Sequence, residues 1–129
     1  LQKNLAGELF FDDTIRRLYA TDASVYRQLP LAVAYPRNTD DLKKLLSFAK
    51  THQTSLIPRT AGTSLAGQVV GTGIVVDVSK YFTSILEVNE KEHWVRLQPG
   101  VIRNDLNAFL KSYNLFFGPE TATQTRAMV

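Results

Sequence analysis

The chain has 129 residues with ordinary apolar and charged fractions and a formal charge of +3, so it can bury one modest core and is no disordered segment. Its basic residues are scattered instead of forming a stripe with interleaved aromatics, which argues against nucleic acid as a partner. The lack of cysteine excludes disulfides, thiolate metal sites and cysteine nucleophiles, and no apolar run is long enough for a membrane span.

In chain order, a short helix is expected around Asp12 to Tyr19, where Ile15, Leu18 and Tyr19 share a face. Leu31 to Tyr35 reads as a buried strand ended by Pro36, which has no N–H for a central ladder. A second helix follows: Asn38 or Thr39 can cap it, and Asp40 and Asp41 sit where the helix dipole favours negative charge. Leu42, Leu45, Leu46 and Ala49 form its apolar stripe. Ser55-Leu56-Ile57 is the next strand, and strand, helix and strand in this order predict a crossover with parallel strands.

Behind that strand stands Pro58-Arg59-Thr60-Ala61-Gly62-Thr63-Ser64-Leu65-Ala66-Gly67. Successive N–H groups of a tight loop can share one concavity and hold an anion, and glycine lets the backbone approach closely. Thr60, Thr63 and Ser64 add short donors, and Arg59 can add charge at the rim. A nucleotide-triphosphate loop is excluded, because Gln68-Val69 stands where Lys and Ser/Thr would be needed. The dinucleotide fingerprint also fails, because Gly71-Thr72-Gly73 lacks a third glycine and runs into Ile74-Val75-Val76, a strand pattern. On composition alone, a phosphate cradle and an ordinary Gly/Ser/Thr turn both fit.

Ile74 to Val78 is a third strand, apolar enough for burial on both faces. Ile85 to Val88 and His93 to Gln98 alternate around a polar turn and read as a hairpin. After Gly100, Leu106, Phe109, Leu110 and Tyr113 mark a further amphipathic helix with Asn104 as its cap, followed by Phe116 to Pro119 as a strand or loop end. The expected class is α+β, with a small parallel βαβ unit at about residues 28–80 and a mixed or antiparallel unit, incomplete, from about 81. His52 and His93 read as surface residues, and without clustered His, Asp or Glu a metal site is not expected. With no initiating Met and no polar tail, the chain reads as a piece of a longer protein.

Across nearly its whole length the chain resembles the N-terminal FAD-binding half of the FAD-linked oxidases, of the vanillyl-alcohol-oxidase or p-cresol-methylhydroxylase (PCMH) type. The resemblance is carried by Thr21-Asp22-Ala23-Ser24-Val25-Tyr26-Arg27, Pro36-Arg37, Pro58-Arg59 through Ser64-Leu65-Ala66-Gly67-Gln68, Gln98-Pro99-Gly100-Val101, Asp105-Leu106-Asn107 and Phe117-Gly118-Pro119-Glu120. The first segment is similar to the D-lactate dehydrogenase and glycolate oxidase flavoprotein branch. The resemblance implies that Pro58, Arg59, Thr60, Ala61, Gly62, Thr63 and Ser64 hold the FAD diphosphate and that Gly67 and Gln68 close the loop. Pro119, Glu120, Thr121, Ala122 and Thr123 would lie along the isoalloxazine or its linker. Many relatives tether FAD through a histidine where this chain has Thr63, so FAD is expected to be non-covalent.

These features imply a flavin-dependent dehydrogenase or oxidase passing a hydride from a D-2-hydroxy acid of lactate, glycolate or 2-hydroxyglutarate type to FAD. The family carries its bases and substrate clamps largely in a C-terminal substrate domain, so this chain alone is expected to be inactive. An iron–sulfur centre or a quinone would take the electrons, in the cytoplasm or peripherally at a membrane. The alternatives are a non-redox FAD enzyme of the alkyl-glycerone-phosphate synthase type and a non-catalytic phosphate-binding or interaction module. Tyr26 and Arg27 read as a packed tyrosine beside a solvated arginine, with flavin or substrate contact as the other reading; Trp94 reads as packing, and Arg96 and Arg103 have no assigned task.

Overall fold

A computed structural model describes residues 1–129. Four strands, β1 (Glu8–Phe10), β2 (Ala32–Tyr35), β3 (Leu56–Arg59) and β4 (Ile74–Asp77), form a sheet in the order β1-β2-β4-β3. β2, β3 and β4 are parallel, and β1 adds antiparallel at the β2 edge. The two strands flanking the long helix do not pair with each other, because β4 inserts between them. All four β4 residues are buried, as an Ile-Val-Val run between two covered faces requires.

Two helices cover those faces. α1 (Asp13–Leu18) starts at Asp12, whose carboxylate accepts from the Ile15 N–H at 3.0 Å, and it brings Ile15 and Tyr19 against Val33, Ile57 and Val75. α2 (Thr39–Thr51) starts at Asn38, which accepts from the Asp41 N–H at 3.0 Å. Its Leu45 is fully buried among Ala32, Ala34, Ile74 and Val76, a burial that contributes about 2 kcal/mol. Leu46, expected on the same stripe, is 61% exposed: the stripe is wider than the sheet below it, and Leu46 overhangs an apolar groove beside Leu56 and Pro58.

Asp41 does more than complement the helix dipole. Its fully buried carboxylate accepts from the N–H groups of Ala6, Gly7 and Arg37, each at 2.9 Å, tying the segment before β1 to the start of α2.

The remainder is built on a hairpin, β5 (Ile85–Asn89) and β6 (Trp94–Leu97), with an irregularity between Ile85 and Glu87. α3 (Arg103–Leu110) packs Leu106 and Leu110, together with Val101, against Ile85, Val88, Val95 and Leu97. Asn104 does not cap this helix. The cap position is Ile102, which bridges to Met128, while the Arg103 N–H donates to the Ala127 carbonyl at 2.9 Å, so main chain from the C-terminal segment does the capping. Phe109 is 41% exposed and rests on Tyr113 outside the core. Phe116 to Pro119 forms no strand: the Asn107 side chain holds both the N–H and the carbonyl of Phe117, at 2.7 and 3.2 Å, in place of a neighbouring strand.

Candidate functional site

The loop from Thr60 to Gly73 leaves the C-terminal end of β3, the edge of a parallel sheet where ligands of open α/β sheets bind. The N–H groups of Thr60, Ala61, Gly62, Thr63 and Ser64 donate to no acceptor in the protein, although Gly62, Ser64 and the first two are half-buried. Buried main-chain donors are almost always paired, so this half-buried run leaves successive N–H groups available to an outside acceptor. Ser64 Oγ accepts from the Ala66 and Gln68 N–H groups at 3.4 Å and braces the far half of the loop, leaving its own proton free to donate.

Two glycines with positive φ set the path. Gly62 has φ 67°, and a Cβ there would lie 2.5 Å from Arg59 Nη2, so the missing side chain admits the guanidinium beneath the loop. Gly67 has φ 74° and lies against the Tyr26 ring, but Tyr26 is 59% exposed, so the packed tyrosine expected from the sequence is not what is found.

Arg59 is fixed without a direct ion pair. Its Nη1 donates to the Thr21 carbonyl at 2.8 Å, its Cζ sits 4.9 Å from the Tyr19 ring centre, and no carboxylate lies within 4.0 Å of it. The Ala23 N–H donates to the Gly62 carbonyl at 3.2 Å, so residues 21–23 are stitched to the loop at two points. This brings Asp22 to the same wall, with Oδ1 accepting from the Ser24 N–H at 2.8 Å and Oδ2 buried without a hydrogen-bond partner. Burial raises its carboxyl, yet hydrogen bonds from the Ser24 hydroxyl and amide and the charge of Arg59 outweigh this and hold it below the usual range.

These walls line an open hollow of about 710 Å³, which Thr121, Ala122, Thr123 and the segment from Arg126 to Met128 also line. Arg59, Ala61, Gly62 and Thr63 line it from the loop; Thr60, Ser64 and Gln68 face a smaller hollow of about 390 Å³ on the other side of the same loop. Pro58 points away, into the apolar groove under Leu46. Pro119 and Glu120 are exposed and line neither cavity, although the Pro119 carbonyl accepts from Arg103 Nε at 2.6 Å. His52 and His93 lie elsewhere, and no group of His, Asp or Glu could hold a metal ion.

Sequence reasoning missed two contributors. Arg126 lines the same hollow and has no carboxylate within 4.0 Å, at the end of a turn just before the 102–128 bridge. Arg103, buried in the second core, anchors the segment from Pro119 to Thr123 through the Pro119 carbonyl. Neither has a local signal, since both act on segments brought near only by folding.

Two cationic walls, five free amides and short hydroxyls fit a diphosphate linked to a larger organic group. The profile of the family described as FAD binding domain matches residues 30–129. The chain belongs to that FAD-binding domain family. FAD is its cofactor. The domain is 42% identical over 126 residues to a D-2-hydroxyglutarate dehydrogenase of Pseudomonas putida, covering 95% of this chain and 12% of that protein. It is 35% identical to the glycolate oxidase subunit GlcD of Bacillus subtilis, over 92% of this chain and 26% of that one. The chain thus spans about an eighth of the first relative and a quarter of the second.

Among solved structures, an alkyldihydroxyacetonephosphate synthase superposes with a TM-score of 0.79 at 16% identity, covering 93% of this chain and 25% of that one. A p-cresol methylhydroxylase does so with a TM-score of 0.75 at 13% identity, covering 92% and 24%. At these identities the likeness shows the fold, which is the PCMH-type FAD-binding α+β fold expected from the sequence.

Proposed function

We propose that the protein containing this domain is an FAD-dependent oxidoreductase of a D-2-hydroxy acid, of the lactate, glycolate or 2-hydroxyglutarate type, with the FAD held non-covalently. The observation that carries the cofactor half is the run of five acceptor-free amides, Thr60 to Ser64, beside Arg59, which has no direct ion pair. In this reading those amides and Arg59 take the diphosphate, Gly67 and Gln68 close the loop, and the strap from Pro119 to Thr123 runs along the isoalloxazine or its linker. The substrate half is supported by the names of the two relatives, a D-2-hydroxyglutarate dehydrogenase and a glycolate oxidase subunit.

Bound FAD supplies the redox chemistry, accepting a hydride equivalent from the carbon that bears the hydroxyl. This domain's residues bind and orient. The amides donate to negative charge from the main chain, and Arg59 adds a positive charge beside them. A base for the hydroxyl proton and a cation for the carboxylate belong, in this reading, to the remainder of the protein, so the domain alone does not turn over. The chain is read as one FAD-binding domain, with a βαβ portion at about 28–80, extended by β1, and a second portion from about 81. An iron–sulfur centre or quinone remains the proposed electron acceptor. No helix is long and apolar enough to cross a membrane, and the proposed location is the cytoplasm or a membrane periphery.

Non-covalent attachment is read from Thr63, which the family resemblance places where many members carry a tethering histidine, since a hydroxyl cannot supply an imidazole nitrogen. Acid precipitation of the full-length holoprotein is expected to leave the yellow flavin in the supernatant; flavin in the pellet contradicts it. Anaerobic addition of D-2-hydroxyglutarate, D-lactate or glycolate is expected to bleach the flavin with at least one of the three, while the L-2-hydroxy acids leave it oxidised. Bleaching by none overturns the substrate class without touching the cofactor assignment.

A further inference from the structure

We propose that Tyr19 is a positioning residue for FAD: its ring, locked from behind by Asp77 and Tyr35, is the shelf that holds the Arg59 guanidinium at the mouth of the cavity. The inference rests on the reading that Arg59 contacts the diphosphate.

The shelf comes from strand register. Arg59 pairs with Asp77 across β3 and β4, and Tyr35 follows Ala34, which pairs with Val76 across β2 and β4. The last residues of three neighbouring parallel strands therefore form one row. Alternation along the strands turns that row to the α1 side, the face of Val33, Ile57 and Val75 against which Tyr19 packs. Tyr19 closes α1, and its hydroxyl donates to Asp77 Oδ2 at 2.5 Å and meets the Tyr35 hydroxyl at 2.7 Å. Asp77 is itself 4% exposed and held by the Ser79 N–H at 2.8 Å. Neither the phenol nor the carboxylate is free to turn. Burial, then the bonds to Asp77 and Tyr35, push the phenol far above its ordinary value, so it stays neutral.

A carboxylate in place of this ring would fix Arg59 and cancel its charge. An aromatic face fixes it by attraction to the ring quadrupole and leaves the charge for an anion. Only Nη1 of Arg59 is engaged, with the Thr21 and Tyr19 carbonyls, so the Nε and Nη2 donors remain open. Without the shelf, a long side chain regains its rotamer freedom and the open donors lose their aim.

The test uses full-length protein stripped of flavin and titrated with FAD, following the flavin fluorescence at low and high salt. Arg59→Gln and Tyr19→Leu are each expected to weaken binding about tenfold, the scale of one cation–π contact, and to flatten its salt dependence alike. The double variant is expected to be no weaker than the weaker single one, and Tyr19→Phe, which keeps the ring but loses both bonds that lock it, is expected to fall between the parent and Tyr19→Leu. Additive losses, or an unaltered salt dependence in Tyr19→Leu, overturn the positioning role. An Arg59→Gln variant that binds normally overturns the diphosphate reading itself, so the two failures are distinct. Should leucine prevent folding, stepwise fluorination of a phenylalanine at position 19 decides the point: affinity falling with each fluorine supports the shelf, and a flat series refutes it.

Discussion

Replacing Gly62 with valine is expected to strip the full-length protein of FAD while leaving its helix content unchanged. Two costs meet at one atom. With φ at 67°, the backbone occupies the left-handed region, where a β-branched residue costs about 1–2 kcal/mol or more. The new Cβ would also stand 2.5 Å from Arg59 Nη2, so either the loop lifts or the guanidinium leaves its seat between the Thr21 carbonyl and the Tyr19 ring. Lifting the loop disperses the five amides; moving Arg59 removes the charge beside them. A loss of at least about 100-fold in FAD affinity follows, larger than the loss from Arg59→Gln, because the amides are shared by both effects. Isothermal titration of the flavin-free protein measures it. Affinity within threefold of the parent would show that the loop tolerates a side chain where the account requires none.

The largest effect on stability is expected at Asp41, far from the cavity. Asp41→Ala leaves the N–H groups of Ala6, Gly7 and Arg37 without their acceptor and vacates a fully buried position, a loss of about 3 kcal/mol or more by chemical denaturation. The same carboxylate makes stability depend on acid. Burial raises its proton affinity, but hydrogen bonds from the Arg37, Ala6 and Gly7 amides and the charge of Lys44 outweigh that and lower the folded-state value. A carboxyl depressed on folding stabilises in full above its unfolded value of about 3.9, and that stabilisation is lost as pH falls through the folded value. Asp41→Asn is therefore expected to lower stability at neutral pH and to flatten the acid limb of the profile. A neutral-pH stability equal to the parent's would contradict the triple-acceptor role.

The legible parts of the fold are those whose cause lies within a few residues. Asn38 before Asp40-Asp41, the Leu45 stripe, the Ile74-Val75-Val76 run and the alternating hairpin each carry a local pattern, and each became the expected element. β1 has three residues and no period to detect, and it exists because Asp41 holds the preceding segment from 34 and 35 residues away. Asn104 looks like a helix cap, yet the Arg103 amide is taken instead by the Ala127 carbonyl from the far end of the chain. Leu46 and Phe109 satisfy helical periodicity but overhang the surfaces beneath them, whose width no local pattern reports.

The candidate site divides the same way. Its loop is contiguous, so small residues, hydroxyls and an arginine in a row announce it, and the motifs around it make the family recognisable. Its other walls are assembled. Asp22 arrives through two hydrogen bonds to the loop, Arg126 through the bridge at Met128, and the Tyr19 shelf through strand register. None of these depends on residues adjacent in the chain.

The most direct measurement is a crystal structure of the full-length protein with FAD bound. The account predicts diphosphate oxygens at about 2.7–3.2 Å from two or more of the N–H groups of Thr60 to Ser64, with Arg59 still lying over the Tyr19 ring. A diphosphate held elsewhere, with those amides turned to solvent, would contradict it.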